Sequence, residues 1–141
     1  MITNTNIITI GNYEKAEKLF RKLLNRLEEN RPFTLGVMDS LASTYVNQGK
    51  YTDAEVLYKQ CLDKRKAVLG ENHHHTLATM GNLAGTYSDQ GKHRDAEALF
   101  KQCLDKQKVV LGETHPHTLS TMHNLAATTS KIQAQNVVGS K

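Results

Sequence analysis

The sequence predicts an all-α protein, a right-handed superhelical stack of antiparallel helix pairs. Three observations predict it. The chain repeats with a period of 42 residues: Thr34 to His75 and Thr76 to His117 align without a gap and agree at about two thirds of their positions. Within each copy the apolar residues recur at helical spacing. Between the two helical stretches of each copy stands the same turn, Gln48-Gly49-Lys50 and Gln90-Gly91-Lys92, short enough to force its helices antiparallel. A unit of this size cannot bury its apolar face alone, so it stacks on its neighbours, and the stack exposes long surfaces suited to binding. The expectation is an interaction module rather than an enzyme.

The elements follow in order. The segment GNYEKAEKLFRKLLNRL, from Gly11, matches the second helix of a copy, with Tyr13, Ala16, Leu19, Phe20, Leu23 and Leu24 on its stripe. Residues 1–10 contain Ile7, Ile8 and Ile10 but are short and β-branched, and are expected to be disordered or a partial helix. In the first full copy Leu35, Met38, Leu41, Ala42 and Tyr45 fall on one face of a helix from about Thr34 to Asn47, with Thr34 as the expected N-cap. Gly49 suits the left-handed position that ends it. A second helix from about Tyr51 to Val68 carries Ala54, Leu57, Tyr58, Cys61, Leu62 and Val68, and Thr52 with Glu55 has capping-box spacing. Gly70 ends that helix. The next copy repeats the plan with Leu77, Met80, Leu83, Ala84 and Tyr87, then Ala96, Leu99, Phe100, Cys103 and Leu104.

A third copy opens with TLSTMHNLA at Thr118. Leu119, Met122, Leu125 and Ala126 keep the pattern, the tyrosine becomes Thr129, and no glycine turn follows. The array therefore reads as a half repeat over 11–33, full repeats over 34–75 and 76–117, a half repeat over 118–130 and a frayed tail over 131–141. The N-terminal end is expected to be the weaker one, exposing Leu19 and Leu23 and being frayed or covered by a second molecule.

Composition narrows the function. The net charge is +4, with pI near 9.1, but the cations alternate with acids, as in Asp63, Lys64, Arg65 and Lys66 or Asp105, Lys106 and Lys108. That is the pattern of a solvated helix face and points away from nucleic acid. No apolar run approaches the ~18 residues of a membrane span. The N-terminus has no signal-peptide pattern, so a cytoplasmic protein is expected. Cys61 and Cys103 hold the same place in successive copies. Helices of neighbouring repeats lie about 10 Å apart, beyond the ~7 Å that a disulfide allows between Cα atoms, so both are expected buried and reduced. No phosphate-binding glycine loop, nucleophile elbow or HExxH motif occurs. No enzymatic activity and no cofactor are expected.

Met38-x-x-Leu41-Ala42-x-x-Tyr45 followed by Ala54-x-x-x-Tyr58, and Met80-x-x-Leu83-Ala84-x-x-Tyr87 followed by Ala96-x-x-x-Phe100, resemble the tetratricopeptide repeat. The basic unit of that family is ~34 residues. The additional residues here lie at the end of the second helix and in the loops LGENHHHTL and LGETHPHTL. With NLA and the QGK turn, these loops resemble the repeats of kinesin light chains. The resemblance covers about Gly11 to Ala127. It departs in two ways: Lys66 and Lys108 stand where the family has a final proline, and the sustained heptads by which kinesin light chains attach to the motor are not found in this chain.

The resemblance implies a peptide or short helix bound in a concave groove lined by the first helix of each pair. The implied groove residues are Asp39, Ser40, Ser43 and Asn47, then Asn82, Ser88 and Asp89, then His123 and Asn124, with Gly36, Val46, Ala78, Gly81, Gly85, Ser120 and Ala127 among them. In related proteins an Asn at the places of Asn82 and Asn124 bonds the ligand main chain, since an amide both donates and accepts; the alternative is that these Asn brace neighbouring helices. Asp39 and Ser43, then Gly81 and Gly85, stand where chaperone-docking repeats carry a carboxylate clamp, which argues against that subtype. His73, His74, His75, His115 and His117 raise the possibility of a metal, but they are read as loop residues with no cysteine near, and no metal is expected. The alternative function is a self-assembling scaffold that stacks end to end with itself, through the N-terminal end, or with further repeats.

Overall fold

A computed structural model of the chain describes residues 4–139, with side chains described over 11–139. Among the described residues all regular secondary structure is helical: α1 (Asn4–Leu24), α2 (Pro32–Asn47), α3 (Tyr51–Leu69), α4 (His74–Asp89), α5 (His93–Val110) and α6 (Pro116–Gly139). The helices form two compact units, Met1–Lys64 and Arg65–Lys141.

In the first unit α1 packs on α2. Leu35, Met38 and Cys61 form the core, and Leu24 and Leu57 close over it. The Cys61 thiol donates to the Leu35 carbonyl at 3.4 Å. Tyr45, buried at the end of the α2 stripe, ties the helices by polar contacts: Arg21 Nε and Nη2 donate to its hydroxyl at 3.0 and 2.7 Å. Lys50 Nζ donates to Glu17 Oε1 at 2.8 Å. Arg21 and Lys50 both lie over the Tyr45 ring, 5.8 and 5.7 Å from its centre. The Lys50 hydrogen bond, with Arg21 also near, holds the Glu17 carboxyl below its ordinary range against a smaller opposing effect of burial, and the same bond raises Lys50.

In the second unit α5 packs between α4 and α6. Ala84, Ala96 and Phe100 form its core, with Tyr87, Leu99 and Leu125 packed against them. Cys103 repeats the contact of Cys61, donating to the Leu77 carbonyl at 3.4 Å. Both cysteines are buried and neither forms a disulfide, and burial pushes the Cys103 thiol up to about 11.

The first helix of each full copy ends as the glycine turn requires. Gly49 and Gly91 have φ of 76° and 80°. The Lys50 and Lys92 amides each return to the Tyr45 and Tyr87 carbonyls at 2.8 Å, and Gly49 and Gly91 to Val46 and Ser88. This is the Schellman closure, which a residue with a Cβ enters only with strain.

Several sequence expectations are corrected. Thr34 is not the N-cap of α2. The helix begins two residues earlier, with Arg31 at the cap and Pro32 in its first turn, and the Thr34 hydroxyl reaches back to the Glu28 carbonyl at 2.6 Å. Proline fits the first turn because its missing N–H has no helical partner there anyway. Thr52 is likewise inside α3, which begins at Tyr51, rather than ahead of it as a cap, and Glu55 pairs with Lys59 at 3.1 Å. Val68 is exposed, as are Leu119, Met122 and Ala126 on α6. Leu119 and Met122 are 49% and 41% exposed, whereas their counterparts Leu77 and Met80 are 1% each; among the described residues no helix follows α6 to pack on it as α5 packs on α4. Helix α6 also continues to Gly139, with Ile132 buried, where a frayed tail was expected. Without a glycine at the turn position nothing in the local sequence ends the helix. At the other end α1 starts at Asn4 and passes through Gly11 unbroken. The side chains of Ile7, Ile8 and Ile10 lie outside the described residues. Leu19 is exposed, as expected, and Leu23 is half-buried.

Candidate functional site

The site is built on the second unit. A cavity of about 420 Å³ lies between α4 and α6, floored by α5. Its walls are small where the helices come closest to it, with Ala78 and Gly81 on α4 and Ser120 on α6, and its floor is Phe100, Gln107 and Leu111. Asn82 and Asn124 stand on opposite walls. Among the described residues neither Asn side chain hydrogen-bonds the protein; only their carbonyls are engaged, by Thr86 at 2.9 Å and Thr128 at 2.8 Å. The amides are thus free to donate and accept, the chemistry of a main-chain ligand. A second, shallower cavity of about 220 Å³ adjoins it, lined by Gly85, Ser88, Asp89, Asn124 and Lys131.

The first unit holds Asp39, Ser40, Ser43 and Asn47 on α2. Ser40, Ser43 and Asn47 are exposed and Asp39 is half-buried. Asp39 and Ser43 meet Tyr58 on α3, whose buried phenol is raised far above its ordinary value, first by desolvation and then by the Asp39 charge, with the Ser43 hydrogen bond opposing. Of the expected groove residues in the second unit, Asn82 and Asn124 share the larger cavity, and Ser88, Asp89 and Asn124 share the smaller one. His123 is exposed and lines neither.

Of the histidines read as loop residues, His73 and His115 lie in the loops before α4 and α6, and the other three lie in helices. His74 and His75 begin α4, and His117 is the second residue of α6, after Pro116. His73 Nδ1 accepts from the His75 amide at 3.1 Å, and His115 Nδ1 accepts from the His117 amide at 3.1 Å. An imidazole nitrogen thus does the work that sequence rules assign to Ser, Thr, Asp or Asn. The rings of His73 and His74 stack at 4.4 Å between centres, His75 meets both edge-on at 5.1 and 4.2 Å, and one nitrogen from each lies within 4.8 Å of the others. The positive end of α4 opposes a cation there. Gln107, His74, His75 and His117 line the cavity but were missed as groove residues. The signal for Gln107 was present: it is one of the positions where the two copies differ, Arg65 standing in the first.

A family model for the tetratricopeptide repeat matches residues 34–108. The chain belongs to the tetratricopeptide repeat (TPR) family. Its fold is similar to that of a kinesin light chain candidate from Podosopora anserina with nearly identical TPR-like repeats, at 26% identity and a TM-score of 0.79, over 92% of this chain and 64% of that one. It is also similar to BtubC (BKLC) from P. vanneervenii, at 25% identity and a TM-score of 0.76, over 86% of this chain and 49% of that one. A single-substitution variant of the Podosopora anserina protein, at 24% identity and a TM-score of 0.74 over 96% of this chain and 68% of the other, shares the fold. The TPR chain thus spans about two thirds and half of the length of the first two structures it resembles. No curated protein matches it in sequence. TPR arrays are typically protein-interaction modules and generally non-enzymatic scaffolds, and its structural neighbours are kinesin light chain-like. None of the described helices is long and apolar enough to cross a membrane.

Proposed function

We propose that this TPR chain binds a peptide or short helix of a partner protein along the faces of its first helices, with Asn82 and Asn124 holding the ligand main chain. The observation that carries the reading is that these two amides face one cavity, unbonded, with Ala78, Gly81 and Ser120 leaving room for a backbone to come close. Peptides selected from a displayed random library against the chain should lose about tenfold or more in affinity for an Asn82→Leu, Asn124→Leu double variant, the size of a few lost hydrogen bonds. Equal affinity for the double variant, with the variant folded by circular dichroism, would overturn the reading.

A second reading is end-to-end self-association. It is favoured by the exposed Leu119 and Met122 of α6 and the exposed Leu19 of α1. Alignment on the glycine turn makes α1 a helix of the α5 type, the type that covers Leu77 and Met80 on α4. Light scattering should then show mass rising with concentration and falling back to the monomer in Leu119→Lys. A monomer at every concentration sinks this reading.

A further inference from the structure

We infer that the larger cavity is a guanidinium site, taking the side chain of an arginine in a partner peptide; the inference rests on the groove reading above. It begins from a difference between two otherwise matching positions. Counting the 42-residue period, Gln107 on α5 stands where Arg65 stands on α3, His117 where His75 stands, and Thr121 where Thr79 stands. Arg65 is buried, and its Nη1 donates to the His75 carbonyl at 3.0 Å and to Thr79 Oγ1 at 2.8 Å. The acceptor pair that receives it is preserved in the next copy: Thr121 Oγ1 donates to the His117 carbonyl at 3.1 Å, as Thr79 does to His75 at 3.2 Å. The guanidinium is not. Gln107 is shorter and neutral.

What remains is a cavity with the chemistry of an arginine's surroundings and no arginine. Gln107 is 5% exposed, lines the cavity, and its Oε1 has no hydrogen-bond partner. A buried carbonyl oxygen without a donor costs free energy that a ligand donor would recover. Thr121 and His117 line the same cavity. These three residues offer acceptors, so the ligand group must donate several hydrogen bonds at once, as a planar guanidinium does. Leu77, Ala78, Phe100 and Leu111 supply an apolar wall for the methylene stem. No carboxylate lines the cavity, and His74, His75 and the helix N-termini of α4 and α6 stand near it. Arg65 nevertheless occupies the matching place beside the first turn of α4, so this surrounding accepts a guanidinium.

The probes are acetyl-Ala-Arg-Ala-amide and its citrulline counterpart, which has the same shape without the charge, titrated into isotope-labelled protein and followed by the side-chain amide signals of Gln107, Asn82 and Asn124. The arginine peptide should shift Gln107 saturably and bind at least about tenfold more tightly than the citrulline peptide, the effect of one charge-assisted hydrogen bond. Gln107→Arg, which the precedent of Arg65 indicates will fold, should fill the place from within and erase that preference. If both peptides bind equally while shifting Asn82 and Asn124, the groove reading stands and the guanidinium site is overturned. Absence of binding by the arginine peptide at millimolar concentration, or an undiminished preference in folded Gln107→Arg, also overturns the site, while the groove is judged by the library selection.

Discussion

Tyr45→Ala tests the packing of the first unit. The ring is 6% exposed, and truncating a large buried aromatic costs roughly 3–5 kcal/mol. The hydroxyl is a separable part of that loss. It accepts two N–H groups of Arg21, at 3.0 and 2.7 Å, and bonds to a charged donor contribute about 1.5–3 kcal/mol when buried. The Arg21 side chain is 60% exposed, so water replaces much of what is lost, and about 1 kcal/mol is the expected cost of Tyr45→Phe. The remainder, about 2–4 kcal/mol, belongs to the ring. Tyr87, in the matching place but only half-buried, should lose less on truncation, about 2–3 kcal/mol. Urea unfolding followed by far-UV circular dichroism measures all three variants, provided the slopes with denaturant stay equal. A loss below about 1 kcal/mol for Tyr45→Ala, or a Tyr45→Phe loss as large as that of Tyr45→Ala, would refute the packing argument.

Two further outcomes are expected. Glu17 has its folded pKa lowered from an ordinary 4.5, so its contribution to stability is complete above that value and disappears as pH falls through the folded pKa. NMR titration should place the Glu17 carboxyl below 4.5, and Lys50→Ala should bring it back up; an unchanged midpoint in that variant would show that the Lys50 bond is not the cause. Cys103, with its thiol pushed up to about 11 and fully buried, should react with a thiol reagent near neutral pH only as fast as the unit opens, and Cys61, equally buried, should lag with it. Rapid labelling of both in the native protein contradicts their placement.

The apolar stripe was legible because it is written twice. Leu35, Met38, Leu41, Ala42 and Tyr45 are all buried, and so are Leu77, Met80, Leu83 and Ala84. What hydropathy could not show is the second inward stripe, made of Thr34, Thr44, Thr76, Thr79, Thr86, Thr118, Thr121 and Thr128. Threonine reads as surface because its hydroxyl needs a partner, and the partner is visible only in the folded helix. The exposure of Leu119 and Met122 was equally hidden, since burial depends on a neighbouring helix and not on the residue itself. Of the candidate site, the Asn positions came from family resemblance. The free state of their amides and their shared cavity required side-chain positions. Gln107 was missed because a single Arg-to-Gln difference between copies resembles ordinary drift until the bonds of Arg65 are seen.

The threonines also bear on how such a chain grows. Thr44, Thr79, Thr86, Thr121 and Thr128 each donate to the carbonyl four residues back, to Ser40, His75, Asn82, His117 and Asn124. Each hydroxyl is therefore satisfied by its own helix before any other helix arrives. A duplicated copy brings these five hydroxyls already paired within their own helices. Unequal recombination within the gene can then add or delete a whole unit without stranding these hydroxyls at the new junction, so copy number is free to drift in a way that an interface built from cross-helix polar pairs would forbid.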